Sequence, residues 1–519
     1  MRSKLFKQIL VLSIPLLFKY LFFLVFVDWG VFDKNDLIED VIFFILIAVL
    51  IHTEFFQKSI FKHLLIFAYI FYVVLETTSY LAVSSTFSSS YMYLLLESGN
   101  EELKEFALGY LSFPIICVFL TYTILFFVLR KRKWILDFKY SNAIGALCLI
   151  VITGFLKFSG FIESNAYHNA VRGTYGYYDL QKNMKFAPKV EEREVEIKAN
   201  NEVLVLVLGE STDRNHMQIY DYSRNTNPLL STKKDELYIY DNVISTDVFT
   251  LKAVPKILTS LNNESQAKGL VDIIQVFKAA GYSTYWLSNQ RPISFHDNAI
   301  SKIASGSTMF KFYNHLIDRD TKVLDQEILP DYEAILSKPG KKLIVLRLIG
   351  THFDYDNRYP DAFEKFKSVD ASKKEKLIDE YDNAILYNDF IVNEIISKLK
   401  SKNTKSALIY LSDHGENIYN DGTDFFGRSE EILTKNMFDI PFLLWTSDSF
   451  DKPVDFQFEK YRAFTSQFTY ESIGHVFGVV HKDMKVQNSL FSSFYIPKKR
   501  IIVGGKDYDS LFKVNKKDD

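Results

Sequence analysis

The sequence predicts an α/β protein: a soluble domain with a mostly parallel central sheet and helices on both faces, preceded by a transmembrane domain of five helices. Three observations carry this. The first third of the chain is apolar over long stretches, while the remainder reads as a soluble protein. In that remainder, short β-branched runs alternate with segments of helical period. Three of the runs, NEVLVLVLGE at 201–210, LIVLRLIGTH at 343–352 and SALIYLSDHGE at 406–416, are strongly apolar and stop abruptly at polar residues. Such runs are strands buried on both faces, as in a parallel sheet.

At 519 residues the chain is too long for one ordinary domain. The division expected is 1–160 for the transmembrane domain, 161–200 for a polar connector along the membrane surface, and 201–519 for the soluble domain. A formal net charge of −2 gives no reason to expect a nucleic-acid partner. Cys117 and Cys148 both lie in the apolar third, so the soluble domain can hold neither a disulfide framework nor a sulfur-ligated metal.

The expected spans are 9–27, 41–56, 64–83, 107–129 and 142–158. The second is short and carries Glu54. Basic residues flank one side: Arg2, Lys4 and Lys7 before the first span, Lys58 and Lys62 after the second, Arg130 to Lys133 after the fourth. The opposite loops are mainly acidic, with Asp33, Asp36, Glu39 and Asp40, then Glu97, Glu101, Glu102 and Glu105. The positive-inside rule puts the N-terminus in the cytoplasm, and an odd number of spans puts the soluble domain outside. In a bacterium this is a multi-pass protein of the inner membrane whose soluble domain faces the periplasm.

Beyond the connector, LYIYDNVIS (237–245), STYWLSN (283–289) and DIPFLLWTS (439–447) read as further strands. Residues 269–280 have helical period and stop at Gly281, a C-cap signal. Ile378, Tyr381, Ile385, Val392, Ile396 and Leu399 mark one face of a long helix, and 464–480 is a last amphipathic helix.

Open α/β sheets place chemistry just beyond the carboxyl ends of their strands. Here those ends deliver Glu210, His352, and the pair Asp413 and His414. Carboxylate and imidazole form a zinc ligand set, and zinc lowers the pKa of a bound hydroxyl. The candidate hydroxyl is Thr250, since 251–261 is apolar at helical spacing and Thr250 falls at the helix start. A helix N-terminus favours a bound phosphate. From the pattern alone an ordinary threonine N-cap is the favoured reading of that position over a nucleophile.

Glu210-Ser-Thr-Asp-Arg-Asn-His216 through Tyr220-Asp-Tyr-Ser-Arg-Asn-Thr-Asn-Pro228 resembles the opening motif of the bacterial phosphoethanolamine transferases. The resemblance continues through Thr250 with Pro255, Gly350-Thr-His352 and Ser412-Asp-His-Gly-Glu416. It implies an inner-membrane enzyme with five spans and a periplasmic alkaline-phosphatase-like, sulfatase-type domain. It implies zinc held by Glu210, Thr250, Asp413 and His414, with Thr250 carrying phosphoethanolamine as a covalent intermediate. It implies phosphatidylethanolamine as donor and lipopolysaccharide as acceptor. By the same resemblance His352 lies near the incoming phosphate, and Glu102, in the polar outer segment 88–105, sits where the family binds the donor; the family's nearby Asn is Leu94 here.

The chain departs from the lipid A-modifying members. Where they have a His-Gly pair after the Asp-His-Gly-Glu turn, this sequence has Phe426-Gly427, followed by Arg428. One zinc site is expected and a second is left open, with Arg428 able to supply positive charge to a phosphate instead. The periplasmic disulfides of those members are absent. GRSEEILTKNMFDIPFLLW and GTHFDYDNRYP look more like the branch that modifies the inner-core heptose. The rival readings are a sulfatase, which needs Cys or Ser at the nucleophile position, a phosphoglycerol transferase of the lipoteichoic acid synthase type, and a non-catalytic membrane scaffold.

Overall fold

The computed structural model describes residues 2–27, 34–83, 86–87, 89–97, 111–134, 140–265, 268–290, 299–313, 324–419, 422 and 425–513. The chain divides into two compact units, with the change from the first to the second after Tyr177.

The first unit is helical: α1 (Arg2–Leu12), α2 (Ile14–Phe26), α3 (Lys34–Leu50), α4 (Ser59–Val83), α5 (Phe113–Arg130) and α6 (Ser141–Ser159). Among the described residues, three helices are long and apolar enough to cross a membrane: Ile60–Ala82, Phe113–Arg130 and Ser141–Ser159. Lys4–Leu12 and Ile14–Phe26, bent by 42°, make a fourth if they act as one span. The expected second span at 41–56 is not among them. Its helix starts earlier, at Lys34, and stops at Leu50, and its first two turns carry Asp36, Glu39 and Asp40, all buried. They are buried because they have partners. Lys19 Nζ of α2 donates to Asp40 at 2.6 Å and Asp36 at 3.1 Å, Tyr72 of α4 to Asp40 at 2.9 Å, and Asn165 to Glu39 at 2.7 Å. The region expected as a connector contains a helix, α7 (Ala166–Asn183).

The second unit is built on a seven-stranded sheet. In chain order its strands are β1 (Val203–Gly209), β2 (Leu237–Ile239), β3 (Ser283–Ser288), β4 (Met309–Phe312), β5 (Lys342–Arg347), β6 (Ser406–Ser412) and β7 (Phe442–Thr446). Their spatial order is β2-β7-β6-β1-β5-β3-β4. The β6-β1-β5-β3-β4 block is parallel throughout, and β7 is antiparallel to both its neighbours. Val203, Val205 and Val207 of β1 join a core with Tyr381, Ile385, Val392, Ile396 and Leu399 of the long helix Lys373–Lys400. The residues between them, Leu204, Leu206 and Leu208, point to the opposite face and are equally buried. A strand buried on both faces explains the unbroken apolar run.

The helices that matter below are α8 (Thr250–Leu258), α9 (Ile273–Ala279), α10 (Lys373–Lys400) and α11 (Thr469–Phe477). Three elements differ from expectation. The 237–245 strand is broken into Leu237–Ile239 and Val243–Ile244. The α9 helix starts at Ile273 because Lys268–Leu270 pairs as a strand with Lys185–Phe186; Asp272 then caps it, accepting from Gln275 N at 2.9 Å. The helix expected over 464–480 runs only from Thr469 to Phe477, since Phe464–Thr465 pairs with Val243–Ile244.

Candidate metal centre

Strand register brings the acidic and imidazole groups together. Gly209 at the end of β1 pairs with Ser412 at the end of β6, so Glu210 and Asp413 leave the sheet side by side. On the other flank Leu208 pairs with Arg347 of β5. The chain then turns through Gly350, at φ +55, where a Cβ would lie 3.0 Å from Glu210 N. Only glycine allows that approach. Thr351 N and Oγ1 both donate to the Glu210 carbonyl, at 3.1 and 2.9 Å.

One ligand atom each from Glu210, Asp413 and His414 lies within 4.8 Å of the others, and all three residues are buried. His414 Nε2 is 3.2 Å from Glu210 Oε1 and 3.5 Å from Asp413 Oδ2. Asp413 Oδ1 accepts from the backbone N–H of Ser211 at 3.2 Å and of His414 at 2.8 Å. Its Oδ2 is buried and has no hydrogen-bond partner among the described residues. His414 Nδ1 lies 2.9 Å from the Gly415 carbonyl, which can only accept, so Nδ1 carries the proton and the Nε2 lone pair faces the centre. The turn needs Gly415, because a Cβ there would fall 2.0 Å from Asn436 O. A buried carboxylate oxygen without a donor, an imidazole lone pair and a second carboxylate converge on one point. That donor set fits a zinc ion.

Thr250 is the first residue of α8, and Phe249 before it is the N-cap. The Thr250 hydroxyl donates to Glu210 Oε1 at 3.1 Å and Oε2 at 3.2 Å, and stands 3.3 Å from His414 Nε2. Arg428 is brought to the same place. Its Nη1 donates to His414 Nε2 at 2.7 Å and lies 3.8 Å from Glu210 Oε1, and its Nε is 3.6 Å from Glu416. His352 follows β5 as expected but stands outside the group of three. Its Nδ1 is buried and has no hydrogen-bond partner among the described residues. Glu102 lies outside the described residues, as do Asp421 and Asp424 of the loop after β6.

Electrostatics follow from burial and close charges. Burial opposes charge on Glu210, but the close ring of His414 and the Arg428 guanidinium outweigh it and hold its carboxyl well below the usual range. Burial and the Glu210 charge push Asp413 up to about 6. Burial lowers His352 to about 3, with Arg358 and Arg428 acting in the same direction against the charge of Glu210, so its imidazole is neutral at physiological pH.

Sequence reasoning missed three residues that hold Glu210. Ser211 Oγ donates to its Oε1 at 3.0 Å, Gln290 Nε2 to its Oε2 at 2.7 Å, and Arg347 Nη2 lies 3.8 Å from Oε2. The signal for Gln290 was present: STYWLSN is a strand, and Gln290 follows it as Glu210 follows β1.

The sheet that carries this buried acidic and imidazole centre lies within residues 202–478, which match the sulfatase family profile, and the chain belongs to that family. The chain is similar to phosphoethanolamine transferase EptC of Escherichia coli (strain K12), with 29% identity over 424 residues covering 73% of each chain. It is also similar to the crystal structure of the C-terminal periplasmic domain of E. coli EptC in complex with Zn, at 28% identity and a TM-score of 0.59, covering 62% of this chain and 97% of that one. The integral membrane protein lipooligosaccharide phosphoethanolamine transferase A of Neisseria meningitidis matches over 93% of this chain and 97% of its own, with a TM-score of 0.68 and 19% identity, which shows a shared fold including the membrane region. The kinship with phosphoethanolamine transferases read from the sequence motifs is borne out.

Proposed function

We propose that this chain is a zinc-dependent phosphoethanolamine transferase that moves the headgroup of phosphatidylethanolamine to lipopolysaccharide at the periplasmic face of a bacterial inner membrane. The observation that carries the reading is Thr250: a buried hydroxyl at a helix N-terminus, 3.1 Å from Glu210 and 3.3 Å from His414. Glu210, Thr250, Asp413 and His414 would hold the metal, which when bound supplies positive charge that acidifies the threonine hydroxyl and offsets the charge of a phosphoryl group.

The chain's own groups then act in two steps. Thr250 gives up its hydroxyl proton, which points at the Glu210 carboxylate, and its Oγ attacks the donor phosphorus. The Oγ–P bond forms as the P–O bond to diacylglycerol breaks, and the departing diacylglycerol oxygen takes up a proton. The N–H groups at the start of α8 and the guanidinium of Arg428 face the phosphoryl oxygens. His352, as a neutral imidazole, can donate N–H to one of them without adding charge. An acceptor hydroxyl then attacks the same phosphorus, loses its proton, and releases Thr250, which is reprotonated. On the donor side, Glu102 meets the ethanolamine ammonium.

Both substrates are lipids of the same leaflet, so the reading includes five spans, with α3 as the second. For the acceptor we favour inner-core heptose over lipid A. The loop after β6 carries Asp421, Asp424, Glu430 and Glu431 besides Arg428, with Lys252 Nζ donating to Glu430 at 2.6 Å, and carboxylates suit sugar hydroxyls better than a bare phosphate. A phosphoglycerol transferase is less well supported, because the relatives above are phosphoethanolamine transferases. Purified protein should release diacylglycerol from a fluorescent phosphatidylethanolamine, and Thr250→Ala should not; retained turnover in that variant overturns the reading. Mild acid hydrolysis separates lipid A from core. Deleting the gene should remove phosphoethanolamine mass from the core fraction, and its loss from lipid A alone would overturn the acceptor assignment.

A further inference from the structure

We propose that Gln290 fixes the orientation of the Glu210 carboxylate at the metal centre; this is a positioning role, and it rests on reading Glu210 as a zinc ligand. The Gln290 Nε2 donates to Glu210 Oε2 at 2.7 Å and to the Leu348 carbonyl at 3.0 Å. Both partners are acceptors. The amide must therefore present its two N–H groups to them, since the flipped amide would set oxygen against oxygen twice. The other carboxylate oxygen, Oε1, accepts from Ser211 Oγ at 3.0 Å and lies 3.2 Å from His414 Nε2. One oxygen is thus held by the amide while the other faces the imidazole.

The backbone carrying Gln290 is pinned in turn. Asn289 N donates to the Arg347 carbonyl at 2.9 Å, and Asn289 Nδ2 donates to Asp325 Oδ1 at 2.9 Å. The same Asp325 carboxylate accepts from Ile349 N at 2.9 Å and Gly350 N at 3.0 Å, in the turn that passes under Glu210. Asp325 ties the end of β3 to that turn, so Gln290 cannot shift without breaking bonds on a buried carboxylate. Partners of this kind, which orient a ligand without touching the metal, set affinity as well as geometry.

The test uses the full-length protein in detergent and measures zinc affinity by competition with a chromophoric chelator, alongside the thermal unfolding midpoint of the metal-free protein. Gln290→Glu replaces two donors by an isosteric carboxylate, and Gln290→Met keeps the length without a donor. Both should weaken zinc binding about 10–100-fold, with the metal-free midpoint of Gln290→Met unchanged. Wild-type zinc affinity in both variants, with zinc lost in Glu210→Ala, overturns the proposal and leaves the ligand reading standing. A parallel fall in the metal-free midpoint of Gln290→Met makes the role structural and also overturns it. Wild-type zinc affinity in Glu210→Ala overturns the ligand reading and this proposal with it.

Discussion

Thr250 stands one residue inside its helix, and that step separates a capping threonine from a reactive one. As N-cap it would turn its oxygen onto the N–H groups of the first turn. With Phe249 as the cap, its hydroxyl donates to Glu210 instead. The sequence places a threonine at a helix start but cannot distinguish these, because the choice depends on where α8 lies relative to β1. Glu210, Asp413 and His414 were legible because strand ends of one sheet must meet. Ser211 and Gln290 were not singled out, since Ser and Gln carry no metal signature and act only through Glu210. Thr250→Ser should keep measurable headgroup transfer, while Thr250→Ala should lose at least about a thousandfold, as removal of a nucleophile does; headgroup release from phosphatidylethanolamine reads both. Glu210→Ala and Asp413→Ala should each lower bound zinc, and unchanged zinc by elemental analysis would count against them as ligands.

The central strands are the elements the sequence specifies best, because burial on both faces leaves no room for polar residues. Leu206→Ala, in a fully buried position of β1, should cost about 2–5 kcal/mol in urea unfolding of the second unit; a cost below about 1 kcal/mol would contradict the packing described. The short pairings were not legible. Lys268–Leu270 is a strand only because Lys185–Phe186 lies beside it, and no local pattern reports so distant a partner. The same holds for α3, whose acidic start is tolerated because α2 supplies Lys19. Lys19→Met should destabilise the first unit by roughly 3–5 kcal/mol, since it strips buried carboxylates of their cation; thermal unfolding in detergent would register it. Asp272, the cap of α9, makes a pH-dependent contribution. Burial pushes its carboxyl up to about 6, against the backbone N–H groups it accepts from. The folded state therefore holds its proton more tightly than the unfolded chain, whose value is near 3.9. Stability is fullest below that value, falls as pH rises to about 6, and is level above. Asp272→Asn keeps one acceptor and no charge, so its stability relative to wild type should rise between pH 4 and pH 6.5; a flat difference would contradict the assignment.

At the scale of the whole molecule, the apolar first third and the charges of its loops carry the topology. Among the described residues three helices, and the bent pair Lys4–Leu12 and Ile14–Phe26 as a fourth, have the length and apolarity of a span, and the 17-residue α3 does not; the proposed function requires an odd number, with α3 added. Reporter fusions after Lys133 should read cytoplasmic and fusions after Asn200 periplasmic; the reverse would separate the centre from both lipids. In the proposed mechanism Thr250 carries the phosphoethanolamine group between two lipids. Purified protein incubated with phosphatidylethanolamine without acceptor, quenched and digested with protease, should yield the peptide containing Thr250 with the added mass of one phosphoethanolamine group, and Thr250→Ala should yield none. Rapid donor turnover with that peptide unmodified at every time point, or with the added mass on another residue, would contradict the account.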